Sequence, residues 1–297
     1  MFFSKKNELK SLSGKKFVMI GTSPALMFLA SELLDQGAEV VFLLEKKKRE
    51  IYQKNGAFSI KKIAHQTKYY NFKFEEVLFE KPDCCIIGSD VGDFKGDVLL
   101  LANKNLKDIP VINLAGFGND KIVKELAKPK VFRGVFSAWV NREKNAVTVY
   151  GKNHKIDLET PEDEDVELIK KLFTGVDIEV NFLHDMTKSF EQKKMAYVLG
   201  NMLMVIYDKS VVDLIKDVDV CEIIRKTAKE WEKVLKKKEL NLSTKTVLPE
   251  MSNFEQGYKS EFSSKKGVDS LLKMIDFVDK FETPQLFELV TALCKKF

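Results

Sequence analysis

The chain has 297 residues, 49 of them basic and 44 acidic for a formal net charge of +5, with 44% hydrophobic and 31% charged residues. At roughly 100–200 residues per domain this length points to two domains, and the proportions exclude a disordered, collagen-like or coiled-coil chain. Charges of both signs are mixed along the sequence, so no basic stripe marks a nucleic-acid partner.

The most apolar run, Val198 to Tyr207, is broken by Gly200 and Asn201 and falls short of the about 20 residues a membrane-spanning helix needs. The opening MFFSKKNELK has no long apolar stretch and does not read as a secretory signal, so a cytoplasmic protein with no membrane partner is expected. Cys84, Cys85, Cys221 and Cys294 show no metal-ligand spacing, and His65, His154 and His184 are scattered. Buried thiols and no metal are the reading. No G-x-S-x-G elbow of a serine hydrolase occurs.

In chain order, Lys16 to Ile20 (KFVMI) predicts a strand, Gly21-Thr22-Ser23-Pro24 a tight turn, and ALMFLASELLDQG a helix closed by Gly37. A second strand follows at Glu39 to Leu44, so strand, helix and strand form a right-handed crossover within about 30 residues. Such a unit is the start of a dinucleotide-binding fold, in which backbone N–H groups at the helix start approach a pyrophosphate. Reading G-x-G-x-x-G onto Gly21, Ser23 and Leu26, only the first glycine is present, and Pro24 suits the first helical position. Glu45 ends the second strand where an acidic side chain accepts from ribose hydroxyls, which favours NAD; Lys46 and the following basic residues could instead hold the 2′-phosphate of NADP. A solvated helix start is the competing account of those lysines.

Further strands are predicted at Asp83 to Ile87 and Ile109 to Leu114, with a helical stretch between them and another helix opening after Ala115-Gly116-Phe117-Gly118-Asn119. Strands at Val131 to Val140 and Asn145 to Tyr150 then precede a turn at Gly151 to His154. A helix over Pro161 to Phe173 follows, and a last strand at Ile178 to Phe182. Beyond Asp185 the pattern is helical. The fold class is therefore α/β, a Rossmann-type domain over residues 1–185 followed by an all-helical domain over 186–297. Ligands of open α/β sheets sit outside the carboxyl ends of the strands, so Gly21, Gly88, Ser89, Ala115 and Gly116 are expected to line a cleft.

This order of elements resembles the ketopantoate reductase (2-dehydropantoate 2-reductase) family over nearly the whole chain. The likeness is carried by GKKFVMIGTSPALMFLASELLDQGAEVVFL, QKNGAFSI, LAGFGNDKIVKEL, FRGVFSAWVN, FEQKKMAYVLGNM and VDKFETPQLFELVTAL. The resemblance implies NADPH-dependent reduction of a ketone, a small 2-oxo acid as substrate, and a homodimer formed through the helical domain. It implies a catalytic lysine at Lys193 and a retained asparagine at Asn201. Tyr197 stands where the family has another asparagine, Ala115 replaces the asparagine before the Gly-x-Gly turn, and Asp90 replaces a lysine. Gly267 replaces a glutamate, and Glu45 a basic residue. A serine that binds the substrate carboxylate falls near Ser252-Asn253.

Read from the residues alone, Lys193, Tyr197 and Asn201 stand at i, i+4 and i+8 and share a ridge of one helix, where an unpaired buried amide would cost roughly 1–3 kcal/mol. An ammonium beside a carbonyl can stabilise and protonate the alkoxide formed as hydride reaches carbon. Two readings stay open: an NAD- or NADP-dependent reductase, and a catalytically silent relative that binds a nucleotide or metabolite as a sensor or partner module. A third, an enzyme of a neighbouring dehydrogenase class with a larger or amino-containing substrate, is weaker.

Overall fold

A computed structural model describes residues 11–62, 66–76, 81–88, 109–115, 130–159, 163–184, 186–237, 240, 245, 247–252, 260, 264–275 and 277–297. The chain divides into two compact units, Met1–His184 and Asp185–Phe297.

The first unit runs β1 (Lys16–Ile20), α1 (Pro24–Asp35), β2 (Glu39–Leu43), α2 (Lys46–Asn55), β3 (Phe58–Lys62), β4 (Lys68–Tyr70) and β5 (Lys73–Glu75). It continues with β6 (Cys84–Ile87), β7 (Pro110–Asn113), β8 (Lys130–Glu143), β9 (Ala146–Glu159), α3 (Asp163–Leu172) and β10 (Glu179–Leu183). Six strands lie parallel in the order β5-β2-β1-β6-β7-β8. That is the doubly wound dinucleotide-binding order, with the chain stepping outward on one side of β1 through β2 and on the other through β6. β6 and β7 are buried throughout, as strands covered on both faces must be.

The far edge of the sheet is antiparallel. β8 and β9 form a long hairpin closed at Lys144, whose φ is +53°, and β9 then pairs with β3 and β10. The turn expected at Gly151 to His154 is not a chain reversal. It lies inside β9, where the register steps from Ser137 opposite Lys155 to Trp139 opposite Tyr150, so the residues between form a bulge opposite one residue of β8. Gly151 takes a positive φ there, and the same turn-forming chemistry serves a bulge because the partner strand continues past it.

The strands β3, β4 and β5 are short and begin or end in lysine, so alternation does not mark them, yet Phe58, Tyr70 and Phe74 each bring a ring to one cluster. Tyr52, Phe58, Phe72 and Phe74 stack within 5.2–6.5 Å of a neighbour, and Phe42 joins them. Helix α1 is buried along most of its length and buries one charged residue, Glu32, whose carboxylate lies 2.9 Å from Lys62 Nζ. Desolvation raises the Glu32 carboxyl above its ordinary range in spite of that ammonium. Cys84 and Cys85 are fully buried in β6, and burial pushes the Cys85 thiol up to about 12. Cys294 departs from the expectation of buried thiols: it ends the last helix and is exposed.

The second unit contains α4 (Met186–Tyr207), α5 (Val211–Leu214), α6 (Val218–Lys237), α7 (Val247–Ser252), α8 (Lys265–Leu272) and α9 (Pro284–Cys294). Its core is anchored by Trp231, fully buried and edge-on to Phe277 at 5.0 Å. The start of α9 is capped across the chain: Glu230 accepts hydrogen bonds from the Gln285 and Leu286 N–H groups, both at 3.0 Å. Among the described residues no helix is long and apolar enough to cross a membrane.

Candidate functional site

The β1–α1 turn stands where the strand order reverses, beside the carboxyl end of β6. Gly21 has φ +100°, a conformation that side chains resist, and it lets the chain leave β1 and reach Ser23, the helix cap. Ser23 Oγ accepts from the Leu26 N–H at 3.3 Å, and Pro24 takes the first helical position. Thr22 is buried, and its carbonyl accepts from Arg142 Nη1 at 2.9 Å.

The loss of the third motif glycine has a structural answer. Leu26 occupies that position and is buried, and Gly88, just past β6, faces it. A Cβ at Gly88 would lie 3.0 Å from Leu26 Cδ1 and 3.1 Å from Leu26 Cβ. The space that a glycine on the helix would ordinarily free is freed here by a glycine on the strand. Gly88 N–H continues the β1 pairing by donating to Ile20 O at 2.9 Å.

Glu45 and Lys46 are exposed at the start of α2, directly after β2. Glu45 caps α2 without a side-chain hydrogen bond. Arg49, one turn on, pairs with Glu76 at 3.2 Å. At the end of β7 the half-buried Ala115 donates its N–H to Asn113 Oδ1 at 3.2 Å. Asn113 itself is buried and lies two residues before the position where the family resemblance places its asparagine. Its polarity in an otherwise apolar strand is the signal that could have marked it. Ser89 and Gly116 lie outside the described residues.

In the helical unit, Lys193, Tyr197 and Asn201 all belong to α4. Lys193 and Tyr197 are half-buried, and Asn201 is fully buried. Asn201 Nδ2 donates to the Tyr197 carbonyl at 2.9 Å, while its Oδ1 is buried without a hydrogen-bond partner among the described residues. The expected partner is therefore half present: the helix satisfies the donor and leaves the acceptor, a state that costs free energy unless a ligand or water completes it. Lys194, not singled out from the sequence, lies 3.6 Å from Glu191, with both side chains largely buried. Ser252 ends α7 exposed, its hydroxyl donating to the Pro249 carbonyl at 2.6 Å. That bond would have to break for the hydroxyl to serve a carboxylate. Asn253 lies outside the described residues, and Gly267 sits in the first turn of α8, its N–H bonded to Ser264 Oγ.

No protein-family model matches the chain, and no curated protein matches it. Solved structures do. A ternary structure of D-mandelate dehydrogenase with NADH and anilino(oxo)acetate superposes with a TM-score of 0.76 at 15% identity, over 95% of this chain and 97% of that one. A ketopantoate reductase of the PanE/ApbA family from Ralstonia eutropha JMP134 gives 0.71 at 13% identity, covering 95% and 99%. A dimeric ketopantoate reductase from Staphylococcus aureus gives 0.69 at 15%, covering 95% and 98%. Over 95% of its length the chain thus has the fold that ketopantoate reductases and D-mandelate dehydrogenase share, a Rossmann domain followed by a helical domain, in a strongly divergent sequence.

Proposed function

We propose that the protein is a nicotinamide-dinucleotide-dependent reductase of a small 2-oxo acid. The observation that carries the reading is the doubly wound strand order with a positive-φ glycine and a capped helix start at its reversal point, in a chain that matches the fold of an NADH-bound dehydrogenase over 95% of its length. Two features support the reading: Gly21 turns the chain at a positive φ, and Gly88 leaves the space that Leu26 fills, while Ser23 carries a side chain where the motif has its second glycine.

Gly21, Thr22, Ser23 and Pro24 would lie against the diphosphate, with Gly88 and Ala115 at the strand ends and Ser89 and Gly116 next to them in sequence. Glu45 would accept from a ribose diol, and Lys46 would answer a 2′-phosphate. When bound, the dinucleotide would supply hydride to a carbonyl carbon. Lys193 would hold a proton for the carbonyl oxygen, so that C=O becomes CH–OH with charge balanced, and Asn201 would use its free Oδ1 to orient the lysine or a substrate hydroxyl. Tyr197, Ser252 and Asn253 are the candidates for the rest of the substrate. A homodimer acting in the cytoplasm completes the proposal.

Titration calorimetry with NADH and NADPH tests it first. Binding of either, followed by turnover of 2-oxo acids, supports the reductase, whereas no binding at millimolar concentration removes it. Binding without turnover of any 2-oxo acid would leave the silent nucleotide-binding relative in its place. Glu45→Arg should move preference toward NADPH, and unchanged preference would place Glu45 away from the ribose.

A further inference from the structure

The start of helix α1 offers an anion few backbone donors. Pro24 has no N–H, the Leu26 N–H is held by Ser23 Oγ, and the Met27 N–H already donates to the Ser23 carbonyl. Of the residues that open α1, Ala25 alone keeps an N–H with no acceptor given to it by the helix or its cap. A diphosphate, carrying about two negative charges and several acceptor oxygens, is normally met by a row of such groups.

A guanidinium stands at the same turn. Arg142 comes from the end of β8, 120 residues further along the chain, and donates from Nη1 to the Thr22 carbonyl at 2.9 Å. Its Cζ lies 5.3 Å from the centre of the Tyr52 ring on α2, and Nη1 lies 3.8 Å from Met27 Sδ on α1. Three separate elements therefore fix one side chain that is otherwise exposed to solvent. The planar head has five N–H donors, and the carbonyl and thioether engage a single nitrogen. The remaining N–H groups belong to an exposed side chain and have the fork geometry that matches two oxygens of a phosphate. A side chain already immobilised by a carbonyl and a ring loses little further entropy on binding.

We infer that Arg142 is a phosphate-binding residue of the dinucleotide site, supplying charge and donors that the first residues of α1 lack. The inference rests on the reading that the first unit binds a nicotinamide dinucleotide. Sequence gave no hint of it, since Arg142 lies in a charged hairpin tip, Asn141-Arg142-Glu143-Lys144, with nothing to distinguish it from a solvated loop.

Calorimetry with NADH, NADPH and ADP-ribose on the full chain, as a function of salt, separates the possibilities. Arg142→Ala should weaken whichever ligand the unaltered protein binds by at least about tenfold, with a smaller salt dependence. Arg142→Gln removes the charge and the fork while keeping a polar head, its amide N–H falling two bonds short of the Nη1 position. It should keep the thermal midpoint within about 2 °C yet show the same loss. Arg142→Lys should recover only part of the affinity, because an ammonium lacks the fork. If the unaltered protein binds and Arg142→Gln binds equally well, Arg142 only pins the turn and the inference is overturned. If the unaltered protein binds none of the three ligands, the dinucleotide reading itself fails and takes this inference with it.

Discussion

The β1–α1 turn and helix α4 carry the two halves of the proposed chemistry by different physical means. The turn works through backbone: a positive φ at Gly21, a cap at Ser23, a missing side chain at Gly88. Helix α4 works through side chains held in regular backbone, with Asn201 fully buried and its acceptor unmet. The first can be damaged by adding atoms and the second by removing polarity. Leu26 can replace a motif glycine because Gly88 leaves the space it fills, and Ser23 can replace another because its hydroxyl caps the helix.

The largest expected effect belongs to the helix. With Lys193 as proton donor, Lys193→Ala should lower kcat by about 10²–10⁴-fold while dinucleotide affinity stays unchanged. Steady-state kinetics beside calorimetry reads both, and an equal fall in affinity would remove the lysine from acid catalysis. At the turn, Gly21→Val forces a β-branched residue to φ +100° and should cost about 1–3 kcal/mol in denaturant unfolding. Dinucleotide binding should fall with it.

Gly88→Ala should cost about 1 kcal/mol, the low end for overpacking, because the Leu26 side chain can give way. On a Leu26→Ala background that cost should vanish. Additive losses in the double mutant would show that the two positions do not share one space. Asn201→Leu sets stability against function: removing a buried unmet acceptor should leave stability unchanged or raise it by up to about 1 kcal/mol, while turnover falls at least about tenfold. A destabilised variant would mean that the amide is structural.

The smallest effect is a pH slope in the sheet unit. His154 is buried edge-on to Phe28 at 4.7 Å, and desolvation, helped by Lys62, lowers its pKa below the ordinary 6.5. Asp177 and a backbone bond at Gly151 oppose the shift. Below pH 6.5 the unfolded chain therefore takes up a proton before the folded one, so this contribution to stability is present above 6.5 and lost as the pH falls. His154→Phe should flatten the stability curve between pH 7 and pH 5, measured by denaturant midpoints at each pH. An unchanged slope would assign the dependence to other groups.

Much of the fold was legible along the chain because its signals are local. Apolar runs such as KFVMI, CCII and PVIN mark strands buried on both faces, and Gly37 and Gly175, both at positive φ, close helices where helical periodicity stops. The division at the start of the helical pattern is likewise a matter of period. The sheet's antiparallel edge was less legible. A turn signal at Gly151 reads alike for a hairpin and for a bulge, and only the partner strand β8, running on unbroken, decides between them.

The amino-acid order by itself determined the alternation of strand and helix, the single glycine at the β1–α1 turn, and the i, i+4, i+8 spacing on α4, since each depends on neighbours within a few residues. Tertiary structure alone decided that Gly88 makes room for Leu26, that Arg142 reaches Thr22 across 120 residues, and that Asn201 keeps one acceptor unmet. Those facts arise from packing and hydrogen bonding between segments far apart in the chain. No local pattern encodes them, because the partner's position is fixed only when the sheet order and the helix packing are complete.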